Sequence, residues 1–398
     1  MEHVGRWMMC IAMICGCIMG YGQTPDKYME FSLEELAAVD VEKPLLPVEV
    51  DSAYVVSGKT VNIGYILPIS GYPYFTKELI NSANLAIQEI NNKGGVLNKK
   101  LALIPADIGG TEDFILDRTK LLANKFNTQL FIGPTSSDGL ISISEKILPK
   151  TDLMVVSPTA TSPVITNLND RGLIFRTCPS DAIQGEETAK FCYNELNAKT
   201  AAVLYQNNFY GSNLKDAFVK NFENEGGKVL NTVKFNPLIN LEFYDMSNKL
   251  DSLFQGKADM VYVISLAKSF SIISDKIAKQ DLITKDYHPI IVSSDGARGE
   301  DLAKQGNLSV LEGMYGLYLP FTGNKEFGKK YEKQYGTKPF SLAAEYTYDI
   351  IYMISLAILE GNSTDPEDVS THLTSISKNG LPVTGEDGPI RVFRCVSR

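Results

Sequence analysis

The chain is poor in the residues that most enzymes use at neutral pH. Its 398 residues include three histidines and one tryptophan. His3, His288 and His372 are too scattered to make a metal site, so neither metal nor cofactor is expected. There is no GxSxG elbow, no GxGxxG turn and no HExxH helix. SGKT at 57–60 lacks the upstream glycine of a phosphate-binding loop and precedes the first strand instead of following it. Positive charge is also short. With 38 Lys and Arg against 47 Asp and Glu, the net charge is -9 and the pI ≈ 5.1, which argues against a nucleic-acid partner. Six cysteines fall to three (Cys178, Cys192, Cys395) beyond residue 22. An odd number implies no disulfide framework, and Cys178 and Cys192 read more simply as partly buried thiols than as a bridge. The pairs Glu34–Glu35 and Glu186–Glu187 have no partner acid and read as solvated helix faces. No nucleophile–base pair emerges, and an enzyme is not expected.

Residues 1–22 have the form of an export signal. Arg6 starts it, WMMCIAMICGCIMG is its apolar run, and Gly20 and Gly22 occupy the small positions before a cut ahead of Gln23. The run is shorter than the roughly 20 residues of a membrane span. Ile14-Cys15-Gly16-Cys17 is faintly similar to a lipobox, so a lipid on Cys17 is the alternative to plain cleavage. No later segment is expected to approach membrane-span length. The protein is expected in the periplasm, soluble or tethered only by its N-terminus.

Residues 23–60 form a preface. Phe31, Leu33, Leu36 and Val39 suggest one short amphipathic helix, stopped by Pro44 and Pro47. FSLEELAAVDV resembles a short element of some TonB-dependent outer-membrane receptors, which implies an envelope partner for this segment; a solvated linker with one or two helical turns is the equal alternative.

From Val61 the pattern is regular. VNIGYILP, KLALIPAD, QLFIG, LMVVS and IFR read as strands separated by helical runs. A second series, AAVLYQ, KVLNTVKF, MVYVIS and PIIVS, begins at Thr200. Strands alternating with helices of 10–15 residues predict parallel sheets of β-α-β units. Two series predict an α/β protein of two doubly wound lobes. FSLAAEYTYDIIYMISLAILEG is apolar around most of its girth and reads as a buried helix. NNKGGVLNKK and ENEGGKVLNT each place a glycine pair before the next strand, as two similar halves would.

The most informative stretch runs from Gly133 to Thr161. GPTSS and SPTAT are loops of small hydroxyl residues, each following a short apolar strand. Consecutive strand ends in an open parallel sheet face one crevice, and hydroxyls and backbone N–H groups there suit a small anion such as a carboxylate. Ser136, Ser137, Thr159 and Thr161 are the candidates, although Ser and Thr are equally natural helix caps. Tyr210, in the loop NNFYGSN, is a candidate lid. Asp295, in SSDGARG, is a candidate counter-charge for an ammonium, against its ordinary reading as a turn residue. Tyr72 and Tyr74, in ISGYPYF, are candidate pocket walls.

With these motifs in place, residues 61 to about 394 resemble the type I periplasmic binding proteins of the leucine/isoleucine/valine-binding kind, the substrate-binding subunits of ABC importers. The marks are IGYILPISG, SANLAIQEINNKGGVLNKKL, IGPTSS, VSPTATSP, FRTCPSDAIQGE, FYGSNL and VTGEDGPIRVF. The resemblance implies an amino acid or amide-like ligand, an ABC permease as partner, and closure about a three-segment hinge near residues 177, 319 and 385. The lobes would then be 61–177 with 320–385 and 178–319 with 386–398. It implies carboxylate contacts at Ser137, Thr159 and Thr161, a lid at Tyr210 and the ammonium contact at Asp295. The family's second aromatic should follow VYVIS, where this chain has Leu266-Ala267-Lys268-Ser269 and no aromatic before Phe270. The anchors for the charged groups are therefore present without the branched-chain pocket, which points to a different amino acid. A ligand sensor or envelope scaffold on the same fold is the alternative.

Overall fold

A computed structural model of the protein describes residues 55–109, 112–318 and 325–379, together with two short strands nearer the N-terminus. Several expectations lie outside these residues: the cleavage and lipidation sites, the preface helix and its envelope partner, Cys395, the segment 383–393 and the hinge crossings near 319 and 385. The chain divides into two compact units. Among described residues, the first lobe takes 55–180 and 325–379, and the second takes 181–318.

In the first lobe, strands β3 (Thr60–Leu67), β4 (Lys100–Asp107), β5 (Leu130–Ile132), β6 (Met154–Ser157) and β7 (Ile174–Arg176) form a parallel sheet in the order β4-β3-β5-β6-β7. The residues are almost continuously apolar and buried, as they must be when helices cover both faces. The second sheet contains β8 (Thr200–Gln206), β9 (Lys228–Phe235), β10 (Met260–Ile264), β11 (Ile290–Ser293) and β12 (Tyr315–Tyr318), all parallel, in the order β12-β11-β10-β8-β9. Beside β12 lie β1 (Ile11–Met13), parallel to it, and β2 (Tyr28–Met29), antiparallel to β1. Strand β1 falls inside the segment read as an export signal, whose removal would leave β12 as the sheet edge.

Numbered within each lobe, both strand orders are 2-1-3-4-5. The switch point lies between β3 and β5 in one sheet and between β8 and β10 in the other. The glycine pairs carry the repeat further. Helix α1 (Pro73–Asn92) ends with Gly95 N donating to Ile90 O at 3.0 Å, and α5 (Phe209–Asn224) ends with Gly227 N donating to Phe222 O at 2.9 Å. Gly94 and Gly226 sit at φ 109 and φ 101, where a side chain is strained.

The other helices are α2 (Glu112–Phe126), α3 (Ser137–Lys146), α4 (Asp181–Lys190, continued by a π-turn over Phe191–Glu195), α6 (Ser247–Phe254), α7 (Ala267–Lys279), α8 (Glu300–Gln305), α9 (Leu308–Leu311), α10 (Lys325–Tyr335), α11 (Leu342–Gly361) and α12 (Pro366–Asn379). Three expectations are corrected. First, α11 is long and apolar enough to cross a membrane, contrary to the reading that no later segment is; Ile350, Ile351, Ile354, Ala357 and Ile358 bury it in the first lobe's core instead. Second, Pro73, Tyr74 and Phe75 belong to α1 rather than to a loop, because proline at the first helical position gives up no hydrogen bond. Third, Phe209, Tyr210 and Gly211 form the first turn of α5, since Asn208 Oδ1 accepts from Gly211 N at 2.9 Å and caps it. Cys178 and Cys192 are buried and carry no disulfide. Burial raises the Cys192 thiol well above its ordinary value, which disfavours the reactive thiolate. Glu186 and Glu187 pair with Lys190 on the exposed face of α4.

Candidate functional site

The two lobes carry separate sets of candidate residues. In the first, the loops after β5 and β6 are adjacent because those strands pair, with Ile132 opposite Val156. Gly133 opens the first loop at φ 85. A side chain there would meet Ile66 O at 2.4 Å, so only glycine lets the chain leave the strand at this point. Side-chain hydroxyls then tie the loops together. Ser157 Oγ donates to Pro134 O at 2.6 Å and accepts from Ala160 N at 3.0 Å. Thr159 Oγ1 donates to Thr135 O at 2.8 Å, and Ser137 Oγ accepts from Ser162 N at 3.1 Å. Ser136 is exposed and caps α3, accepting from Gly139 N at 3.2 Å. Thr161 is buried.

Ser136 thus serves as a cap, and Ser137 and Thr159 as cross-links between the two loops. Asp138, in the first turn of α3, already answers that helix's dipole. The positive charge beneath the loops comes from a residue not singled out by sequence. Arg176, at the end of β7, is wholly buried; its guanidinium donates to Ser162 O at 2.8 Å, Ala160 O at 3.3 Å and Thr166 Oγ1 at 2.6 Å. The signal was available in FRTCPSD, where an arginine interrupts an apolar strand end. Tyr72 is half-buried just ahead of α1, and Tyr74 is exposed. Both follow β3, on the other side of the switch point from Ser137.

The second lobe repeats this geometry with different chemistry. Tyr210 follows β8, Leu266 follows β10 and Asp295 follows β11, at strand ends equivalent to those of Tyr72, Ser137 and Thr159. Tyr210 Oη lies 2.7 Å from Asp295 Oδ1 and 2.9 Å from Ser294 Oγ. The phenol has one proton for these two acceptors, and the shorter contact gives Asp295 the larger share of it. Gly296 N also donates to Tyr210 Oη at 3.3 Å. Burial of the hydroxyl, and then the negative charges of Asp295 and Asp181, hold the Tyr210 phenol well above its ordinary value, so it stays a donor. Asp181 is itself fully buried at the start of α4.

Leu266 caps the start of α7, and Phe270 is fully buried in the lobe's core. The absent second aromatic is therefore not supplied by Phe270. Leu266 Cδ2 instead approaches Gly296, where an added Cβ would meet it at 3.1 Å, Tyr210 Oη at 2.9 Å and Ser265 O at 3.2 Å. Gly296 was missed by sequence, where it read as an ordinary turn glycine. Gly296→Ala is expected to push the phenol off Asp295 and weaken ligand binding roughly tenfold, about one hydrogen bond's worth. Calorimetric titration checks this, and unchanged affinity would remove the contact from the site. Among described residues, no group of three or more His, Cys, Asp or Glu could hold a metal ion.

Comparisons with known proteins agree with this architecture. A family model described as "Periplasmic binding protein" matches residues 60–395. A Leu/Ile/Val-binding protein, BraC3, of Rhizobium johnstonii is 32% identical over 206 residues, 51% of this chain and 53% of that one. A Leu/Ile/Val-binding protein homolog of Brucella suis is 24% identical over 323 residues, 78% of this chain and 81% of that one. The chain thus spans about half the length of the first relative and most of the second. Among solved structures, a leucine-binding protein LivK from Thermotoga maritima superposes with a TM-score of 0.68 at 24% identity, over 79% of this chain and 87% of that one. The protein LivJ of Streptococcus pneumoniae, in complex with isoleucine, gives 0.67 at 20% identity, over 79% and 88%. Both likenesses lie in the fold.

Proposed function

The chain belongs to the periplasmic binding protein family, and on that premise we propose that it captures an amino acid or similar small zwitterion outside the cytoplasm and delivers it to an ABC permease. The observation that carries this is the opposite chemistry at equivalent strand ends. The first lobe offers hydroxyls and N–H groups on loops braced by a buried arginine, which suit a carboxylate. The second offers Asp295, held by Tyr210, which suits an ammonium. The candidate contacts are Ser136, Ser137, Thr159 and Thr161 with Tyr72 and Tyr74 in the first lobe, and Tyr210 and Asp295 in the second. On this reading ligand shifts the protein toward the conformation that binds it best, and the permease reads that state.

Leu266 and Gly296 occupy the second lobe's equivalent of the hydroxyl loops, where the resemblance leads one to look for an aromatic. The side-chain pocket is accordingly not built for a branched-chain ligand, and another amino acid or amide-like compound is the better fit. Plain cleavage before Gln23 is the preferred maturation; intact-mass measurement of the exported protein separates it from lipidation at Cys17.

The decisive experiment is isothermal titration of protein unfolded and refolded to strip carried-over ligand, against the common amino acids and their amides. At least one should bind with a micromolar or tighter constant. Silence from all of them at millimolar concentration would overturn the zwitterion reading.

A further inference from the structure

The second lobe carries a cluster of apolar side chains that the ligand site does not use. The connection after β9, residues 236–246, holds Leu238 at 74% exposure, Phe243 at 86% and Tyr244, also exposed. Isolated exposed apolar residues are ordinary, but three large ones on one short connection are not. The loop is also well braced. Leu241 and Met246 are buried in the lobe's core and pin it at two points. Asn236 Oδ1 accepts from Leu238 N at 2.9 Å, Asn240 Oδ1 accepts from Glu242 N at 3.0 Å, and Asn240 O accepts from Tyr244 N at 3.1 Å. Asp245 Oδ1 accepts from Ser247 N at 2.9 Å. The aromatic side chains are thus presented on a backbone already ordered, so little entropy remains to be lost when they are covered.

Position and charge narrow the occupant. The loop leaves the C-terminal end of β9, the same sheet edge as Tyr210 and Asp295, but β9 is the outermost strand, with β8 between it and the switch point. It therefore flanks the candidate half-site without belonging to it. Its charged residues are Glu242 and Asp245, with no lysine or arginine between 236 and 246. Hydrogen bonds from Ser247, and more weakly the charge of Lys276 on α7, hold the Asp245 carboxyl below its usual range, while Glu242 carries the other negative charge of the tip. An acidic tip is repelled by an anionic membrane surface and is complementary to an apolar socket with a basic rim. We propose that this loop is the second lobe's docking contact for the permease, with Phe243, Tyr244 and Leu238 entering an apolar socket whose lysines or arginines meet Glu242 and Asp245. The proposal rests on the transport reading above, and its tests separate the two.

A photo-crosslinking phenylalanine analogue at position 243, in cells of the native host, should form an adduct with a membrane subunit of an ABC permease. The same analogue at exposed Leu308, on a helix preceding β12 at the opposite sheet edge, serves as control. An adduct with lipid, with a second copy of this chain or with any other protein would overturn the proposal, as would labelling no stronger than at Leu308. The double variant Leu238→Ser, Phe243→Ser should bind its best amino acid within twofold of the unaltered protein, yet support at least tenfold slower uptake of it. Unchanged uptake, or lost affinity, would also overturn the docking role. If the unaltered protein binds no amino acid, the transport reading fails on its own, and the crosslink still reports what the loop touches.

Discussion

Asp295→Ala is expected to lower the affinity for the best-binding amino acid by about 2–5 kcal/mol, the usual range when one partner of an enclosed charge pair is removed. Calorimetric titration measures it directly. The loss has two sources. The ammonium of a bound zwitterion loses its counter-charge, and Tyr210 loses the acceptor 2.7 Å from its hydroxyl. Two further variants separate these. Asp295→Asn keeps an acceptor for Tyr210 but removes the charge, and should recover only a small part of the affinity. Tyr210→Phe keeps the charge and removes the phenol; it should cost about 1 kcal/mol, as for an ordinary neutral hydrogen bond. Equal affinity in Asp295→Ala and the unaltered protein would take Asp295 out of the site.

The second large effect falls on stability. Arg176→Met should destabilise the first lobe by about 3–5 kcal/mol, because hydrogen bonds from a charged group contribute about 1.5–3 kcal/mol each and two acceptors here are carbonyls of the loop at 157–162. Methionine fills much of the volume but leaves Ala160 O and Ser162 O without their donor. A melting curve should shift down by roughly 10 °C, at about 2–4 °C per kcal/mol for a unit of this size. Arg176→Lys should recover only part of the loss, since a single ammonium cannot reproduce the planar fork. Ligand affinity should fall as well, because this loop carries Thr159 and Thr161. A variant as stable as the unaltered protein would mean that the loop is held by its hydroxyls alone.

These two predictions mark where sequence reading succeeds and where it stops. Asp295 and Tyr210 could be named as candidates because each follows an apolar run that reads as a strand, and topology brings strand ends of one parallel sheet to one edge. Their contact, across 85 residues of chain, could not be read. Arg176 was passed over because an arginine beside an apolar strand ordinarily turns to solvent; here the carbonyls of a loop 14 to 16 residues earlier receive it. Phe270 was the nearest aromatic to the expected pocket position, but helical phase turns it into the core. The first turns of α1 and α5 read as loop because Tyr74 and Phe75 in one, and Phe209, Tyr210 and Gly211 in the other, carry no helical signal; Pro73 and the Asn208 cap place them in helices.

By itself, then, the sequence determined the two α/β series, the parallel strands, the buried helix α11, the glycine-ended helices and the hydroxyl-rich and acidic strand ends. All of these follow from local periodicity and from backbone preferences that act within a few residues. Only the tertiary structure decided which hydroxyls are spent holding the loops together, which buried charge braces them, why Gly296 must stay small beside Tyr210, and that the loop at 236–246 faces outward on a rigid frame. Those outcomes depend on atoms far apart in the chain competing for the same space and the same hydrogen bonds, and no local pattern encodes which of them prevails.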